Sequence, residues 1–200
     1  MNSMSGEITS SALEIVIDVL CGGTSDRLKQ LYKALNEQHS ICDMRFLHNY
    51  YLFLDEGNFN SKQLRRFSER LEEQGNKEDY AMMILGVIDS IESKYKARCI
   101  ANLTQSVVND ELDVKKYLRL IHTLKLLIEE DLTYLDRNIQ GGTVIDIENL
   151  DDYLTYGILR PVNGGYAYTE RAHDLVQFGI KRGHDYRRPS SIPQRDIFSY

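Results

Sequence analysis

Residues Tyr156 to Ile180 read YGILRPVNGGYAYTERAHDLVQFGI, and the fold class turns on this stretch. Ile158 to Val162 and Tyr166 to Tyr168 are short apolar and aromatic runs on either side of Asn163-Gly164-Gly165. That is the chemistry of a tight hairpin turn, so two short antiparallel strands are predicted. Thr169 then offers a hydroxyl to cap a helix over Glu170–Lys181, with Ala172, Leu175, Val176 and Phe178 turned inward and Gly183 as its stop.

Upstream, the signals are helical. The only prolines are Pro161, Pro189 and Pro193, so the first 160 residues lack the strongest helix breaker. Asp146–Gly157 is a predicted helix with Leu150, Tyr153 and Leu154 on one side. Thr143–Ile147, at its start, reads as a short strand or a lead-in. Before it come a segment from Glu130 to Ile139 that runs into Gly141-Gly142, and a helix capped by Asp113 with Val114, Tyr117, Leu118, Ile121 and Leu124 inward. Tyr80 to Val107 keeps helical spacing for about eight turns, with a break expected near Ser93. Asn60 caps a helix with Leu64, Phe67 and Leu71 inward, closed by Gly75. Asp43–Leu54 is a helix dense in aromatics. Two more are predicted near the start, from Thr9 or Ser10 to Gly22-Gly23 and from Thr24 or Ser25 past Leu35.

The connectors Asp55–Phe67 (DEGNFNSKQLRRF) and Asp110–Leu120 (DELDVKKYLRL) resemble each other, each running from acidic residues through a cap into a basic amphipathic helix. A calcium loop needs oxygen ligands alternating through twelve positions, which neither has, so both are read as helix–turn–helix connections.

Apolar residues are 42% of the chain and charged residues 27%, values of a folded protein with a buried core. The most apolar stretch, Ala12–Cys21, is far too short to span a bilayer and carries Glu14 and Asp18. Its acidic polar side suits a bundle or oligomer helix better than a membrane surface. Cys21, Cys42 and Cys99 are odd in number and scattered, as free thiols in a reducing cytoplasm would be. The net charge of −6 is uneven: from Gly157 onward seven basic residues face four acids, while the preceding residues hold 17 basic and 26 acidic groups.

The Tyr156–Ile180 stretch and the helix before it resemble the closing half of a winged-helix domain: third helix, wing hairpin and packing helix. The likeness runs over Lys115–Lys181. The whole chain also resembles bacterial and prophage helical proteins that carry such an ending after an acidic bundle. The helix signals place a multi-helix bundle over residues 8–109 and the arginines mark a basic tail over 183–200; between them the resemblance implies a winged-helix-like module with one small β-hairpin over 110–182, in a mainly α fold. For function it implies a binding role, since winged helices bind DNA, RNA or protein.

Charge separates these partners. A DNA-reading winged helix inserts the helix before the wing into the major groove. Here that helix holds Asp146, Glu148, Asp151 and Asp152 and no lysine or arginine. DNA binding rests on cations that neutralise phosphates. Each carboxylate would oppose docking by about 1 kcal/mol at moderate salt. Arg160, Lys181, Arg182, Arg187 and Arg188 would grip a backbone without reading bases. The expected function is therefore non-catalytic docking of a protein partner or dimerisation, through Asp151, Asp152, Tyr153 and Tyr156. A DNA-binding regulator using the five cations is the alternative.

Candidate chemistry is thin. His39, Cys42 and His48, with Asp43 beside them, do not have the spacing of a closed zinc site. His173-Asp174 and His184-Asp185 resemble the His-Asp pair of metal phosphohydrolases, but His122 alone does not complete their ligand set. Glu72-Glu73 and Glu129-Glu130-Asp131 read as solvated helix ends. No phosphate loop, nucleophile elbow or Cys-His pair occurs, so no metal, cofactor or enzymatic activity is expected.

Overall fold

The computed structural model describes residues 41–75, 77–139 and 150–182. The two helices expected between Thr9 and Leu35, the segment Thr143–Ile147 and the tail 183–200 lie outside the described residues. The architecture is mainly helical with one small hairpin. The elements are α1 (Ile41–Gly57), α2 (Ser61–Glu72), α3 (Lys77–Asp89), α4 (Lys94–Val108), α5 (Val114–Leu126), α6 (Glu129–Asn138), α7 (Leu150–Thr155), β1 (Leu159–Val162), β2 (Gly165–Tyr168) and α8 (Glu170–Asp174). The last passes directly into a π-helical stretch, Leu175–Ile180.

The centre of the fold is α4. Eleven of its fifteen residues are buried, because α1, α2, α5 and the π-helical stretch all pack on it. A helix covered on that many sides cannot be amphipathic in the ordinary sense, and small residues such as Ala97 and Ala101 let neighbours approach. Two of its hydroxyls are satisfied locally: Thr104 and Ser106 donate to the carbonyls four residues back, and the Thr104 hydroxyl lies 3.1 Å from that of Tyr117. Across from it, α1 contributes Phe46, Leu47, Tyr50 and Phe53 to one continuous apolar cluster that runs on to Ile180.

Tyr80–Val107 divides into two helices, with the break near Ser93. Ser93 caps the second, its hydroxyl accepting from Lys96 N at 3.2 Å. The break is held from outside, since the buried Asn49 amide donates to the carbonyls of Asp89 and Ile91 at 3.0 and 3.1 Å. The caps expected at Asn60, Asp113 and Thr169 are all present. The two similar connectors share backbone geometry as well, each holding a left-handed residue, Asn58 (φ 44°) and Asp110 (φ 63°). Asp110 also receives Arg66 and Arg70 from α2 on its carboxylate.

The hairpin pairs Leu159 with Tyr168 and Val162 with Gly165 around a two-residue turn in which Gly164 takes φ 86°. The helix after it departs from expectation. An ordinary α-helix to Lys181 is replaced after Asp174 by π geometry, with Lys181 N donating to Val176 O at 2.8 Å. The wider turn shifts the inward face: Gly179 and Ile180 are buried and Phe178 is only half-buried. A Cβ on Gly179 would lie 3.4 Å from Leu103 Cγ, so this backbone runs close against α4.

Candidate functional site

The short α7 is positioned by one tyrosine. Tyr153 is 3% exposed, and its hydroxyl donates to Asp131 Oδ1 at 3.0 Å. The other carboxylate oxygen of Asp131 accepts from Ile128 N at 3.0 Å and caps α6. Asp131 therefore joins the start of α6 to the middle of α7. Burial, reinforced by the Asp131 charge, pushes the Tyr153 phenol above its ordinary range. The rings of Tyr134 and Tyr153 sit 6.2 Å apart beside it. With Tyr153 turned in, Asp151 and Asp152 point to solvent, and both are exposed.

The end of α7 is equally fixed. Ile158 N donates to Tyr153 O at 2.8 Å and Gly157 N to Leu154 O at 3.1 Å, the pair of bonds that closes a helix at a left-handed glycine (φ 70°). Arg171 lies across that glycine and donates to Tyr156 O at 3.0 Å. Thr169 donates to Gly157 O at 2.6 Å and caps α8 with the same oxygen. The tight α7–β1 junction thus sets how the acidic helix sits beside the hairpin.

Of the residues expected to form the site, Asp151, Asp152, Tyr153 and Tyr156 share one short helix and its end. Only the two aspartates are exposed; Tyr156 is half-buried, and Tyr153 belongs to the core, so its ring offers no contact area to a partner. Among the expected cations, Arg160 is exposed on β1 and Lys181 is exposed after the π-helical stretch. Arg182 is committed to the fold, donating to both carboxylate oxygens of Glu111 and to Ser106 Oγ at 2.7 Å. Arg187, Arg188, Asp146 and Glu148 lie outside the described residues.

Among the described residues, the histidines, cysteine and carboxylates considered for chemistry are dispersed. His122 is exposed on α5, and His173 is exposed with its ring edge-on to Tyr168 at 6.4 Å. Asp174 is held by Lys116 at 3.1 Å. Cys99 is buried in α4, and desolvation raises its thiol to about 12, which leaves almost no thiolate. His39 and His184-Asp185 are outside the described residues, as is the side chain of Cys42.

A shallow cleft of about 350 Å³ separates α5 from the start of α8, lined by Lys116, Arg119, Gly157, Thr169, Arg171 and Asp174 among others. Lys116 bridges Glu170 at 2.5 Å and Asp174 at 3.1 Å there. Those hydrogen bonds raise the Lys116 ammonium and lower the Glu170 carboxyl from their ordinary values. The sequence signal was the absence of any acid in α5; its pairing with residues some 55 positions later was not readable from spacing.

No protein-family model, no curated protein and no solved structure matches the chain.

Proposed function

We propose that the chain is a non-catalytic protein-interaction module, in which a winged-helix-like C-terminal unit presents the acidic turn of α7 to a polypeptide partner. The observation that carries this reading is the inward anchoring of Tyr153 on Asp131, which directs Asp151 and Asp152 outward. In a winged helix this element would meet the major groove, and it carries carboxylates where a duplex requires cations. Support also comes from Arg182, whose guanidinium is neutralised by Glu111 and is not offered to a phosphate.

The test is a mobility-shift titration of the full chain with duplex DNA at low and moderate salt. No retardation is expected. Salt-sensitive binding that weakens on Arg160→Ala or Lys181→Ala would overturn the reading in favour of a DNA-binding regulator.

A further inference from the structure

No acidic residue occurs in α5. Its outward residues Lys115, Arg119, His122 and Leu126 are all exposed and fall within about 60° of helical arc. The row is about 16 Å long at the usual helical rise. Neither Lys115 nor Arg119 has an ion-pair partner among the described residues. At its end, Leu126 is 41% exposed and Ile128, in the turn beyond, 50%. These are two of the four large hydrophobic residues exposed among the described residues. Directly after them the first turn of α6 presents Glu129 and Glu130, both exposed, while Asp131 is turned in to Ile128 N and Tyr153.

Along the chain the exposed groups therefore run cations, an apolar pair, carboxylates, with Lys125 exposed to one side of the row. A partner of one charge sign satisfies only half of it. A phosphate backbone would meet Glu129 and Glu130, and has no use for exposed leucine and isoleucine. The sequence of charges is instead complementary to itself when a copy is turned about a two-fold axis through the apolar pair, as an isologous interface requires.

We propose that two copies of this chain associate through this face. Leu126 and Ile128 of the two copies meet at the axis, and Lys115 and Arg119 of each face Glu129 and Glu130 of the other. The proposal rests on the reading of the C-terminal unit as a docking module and names a second copy as a partner. It uses α5 and the start of α6, and leaves the exposed face of α7 free. A face of this length lies at the small end of specific interfaces, so the association is reversible and concentration-dependent.

Sedimentation equilibrium of the full chain over a concentration series tests it. A monomer–dimer equilibrium is expected, weakening as salt screens the exposed charges. Leu126→Asp and Ile128→Asp should each leave a monomer. Lys115→Glu with Arg119→Glu should raise the dissociation constant about tenfold or more, because like charges then face each other on both sides of the axis. Mixing that variant with Glu129→Lys/Glu130→Lys should restore a mixed dimer. Circular dichroism checks that each variant stays helical, and if the lysine variant does not, the Leu126→Asp and Lys115→Glu/Arg119→Glu results decide alone. A monomer at every concentration overturns the proposal, as does a dimer that survives these substitutions or is lost instead on Met82→Asp in α3. A monomer that binds no DNA overturns the dimer only; one that binds duplex DNA overturns the docking reading too.

Discussion

The side-chain amide of Asn102 donates to the carbonyl of Gly179 at 2.8 Å, and its second hydrogen reaches Arg182 O at the same distance. Asn102 is buried in the middle of α4, and those carbonyls end the π-helical stretch. Replacing it by leucine strands two acceptors against an apolar wall. Asn102→Leu should cost about 2 to 4 kcal/mol, read as a shift in the urea midpoint at unchanged slope. A cost below about 1 kcal/mol would mean that water reaches these carbonyls.

Gly157 has a left-handed backbone, and a Cβ there would meet Arg171 Nη1 at 2.6 Å. Gly157→Ala should therefore cost about 1 to 2 kcal/mol from the backbone alone. Adding Arg171→Ala should recover only the part due to the guanidinium, giving a double-mutant cycle with a measurable coupling.

Tyr153→Phe keeps the ring against Tyr134 and removes the bond to Asp131. The expected cost is about 1 kcal/mol, against about 3 to 5 kcal/mol for Tyr153→Ala, which empties the core position. If the phenylalanine variant were as damaging as the alanine one, the hydroxyl rather than the ring would be what seats α7.

Acid should act on the Lys116 bridge. The Glu170 carboxyl is held below its ordinary value by Lys116. A carboxyl depressed in the folded state adds stability above its unfolded pKa, near 4.3 for glutamate, and that stability is lost as pH falls through the lower folded value. Lys116→Met should remove this acid-dependent component. The check is the difference in denaturation midpoint between the two proteins, small because the Glu170 carboxylate is largely exposed, greatest at neutral pH and shrinking as pH falls below the unfolded value.

Alkali should act on Tyr168, whose phenol burial raises to about 12. A raised folded pKa means that the stabilisation is complete below the unfolded tyrosine value, near 10, and is lost as pH rises toward 12. Tyr168→Phe should flatten the stability profile between those values, followed by unfolding monitored at fixed temperature.

Local chemistry was legible in the sequence wherever a short-range signal sufficed. Asn60, Asp113 and Thr169 announced their helices, and the hairpin followed from Asn163-Gly164-Gly165 between apolar runs. Ser93 marked the place where the long helical stretch divides, yet its cause, Asn49 reaching across to Asp89 and Ile91, is a tertiary contact without a sequence period. The π geometry after Asp174 was hidden as well: it lies where Asn102 bonds to Gly179 O and Gly179 closes on Leu103, contacts between distant parts of the chain. At the candidate site, the exposure of Asp151 and Asp152 was readable from the apolar positions around them. The bond from Tyr153 to Asp131 and the diversion of Arg182 to Glu111 were not, because both depend on carboxylates that folding brings from elsewhere, one in α6 and one in the α4–α5 connector.

The bond from Asn102 to Gly179 closes a loop of 77 residues. A ribosome adding roughly 5 to 20 residues per second delivers the second partner about 4 to 15 s after the first. Throughout that interval the flank of α4 around Leu103 is left uncovered by the π-helical stretch. The nascent chain is therefore most open to chaperone capture and to misassociation while its own centre waits for its end.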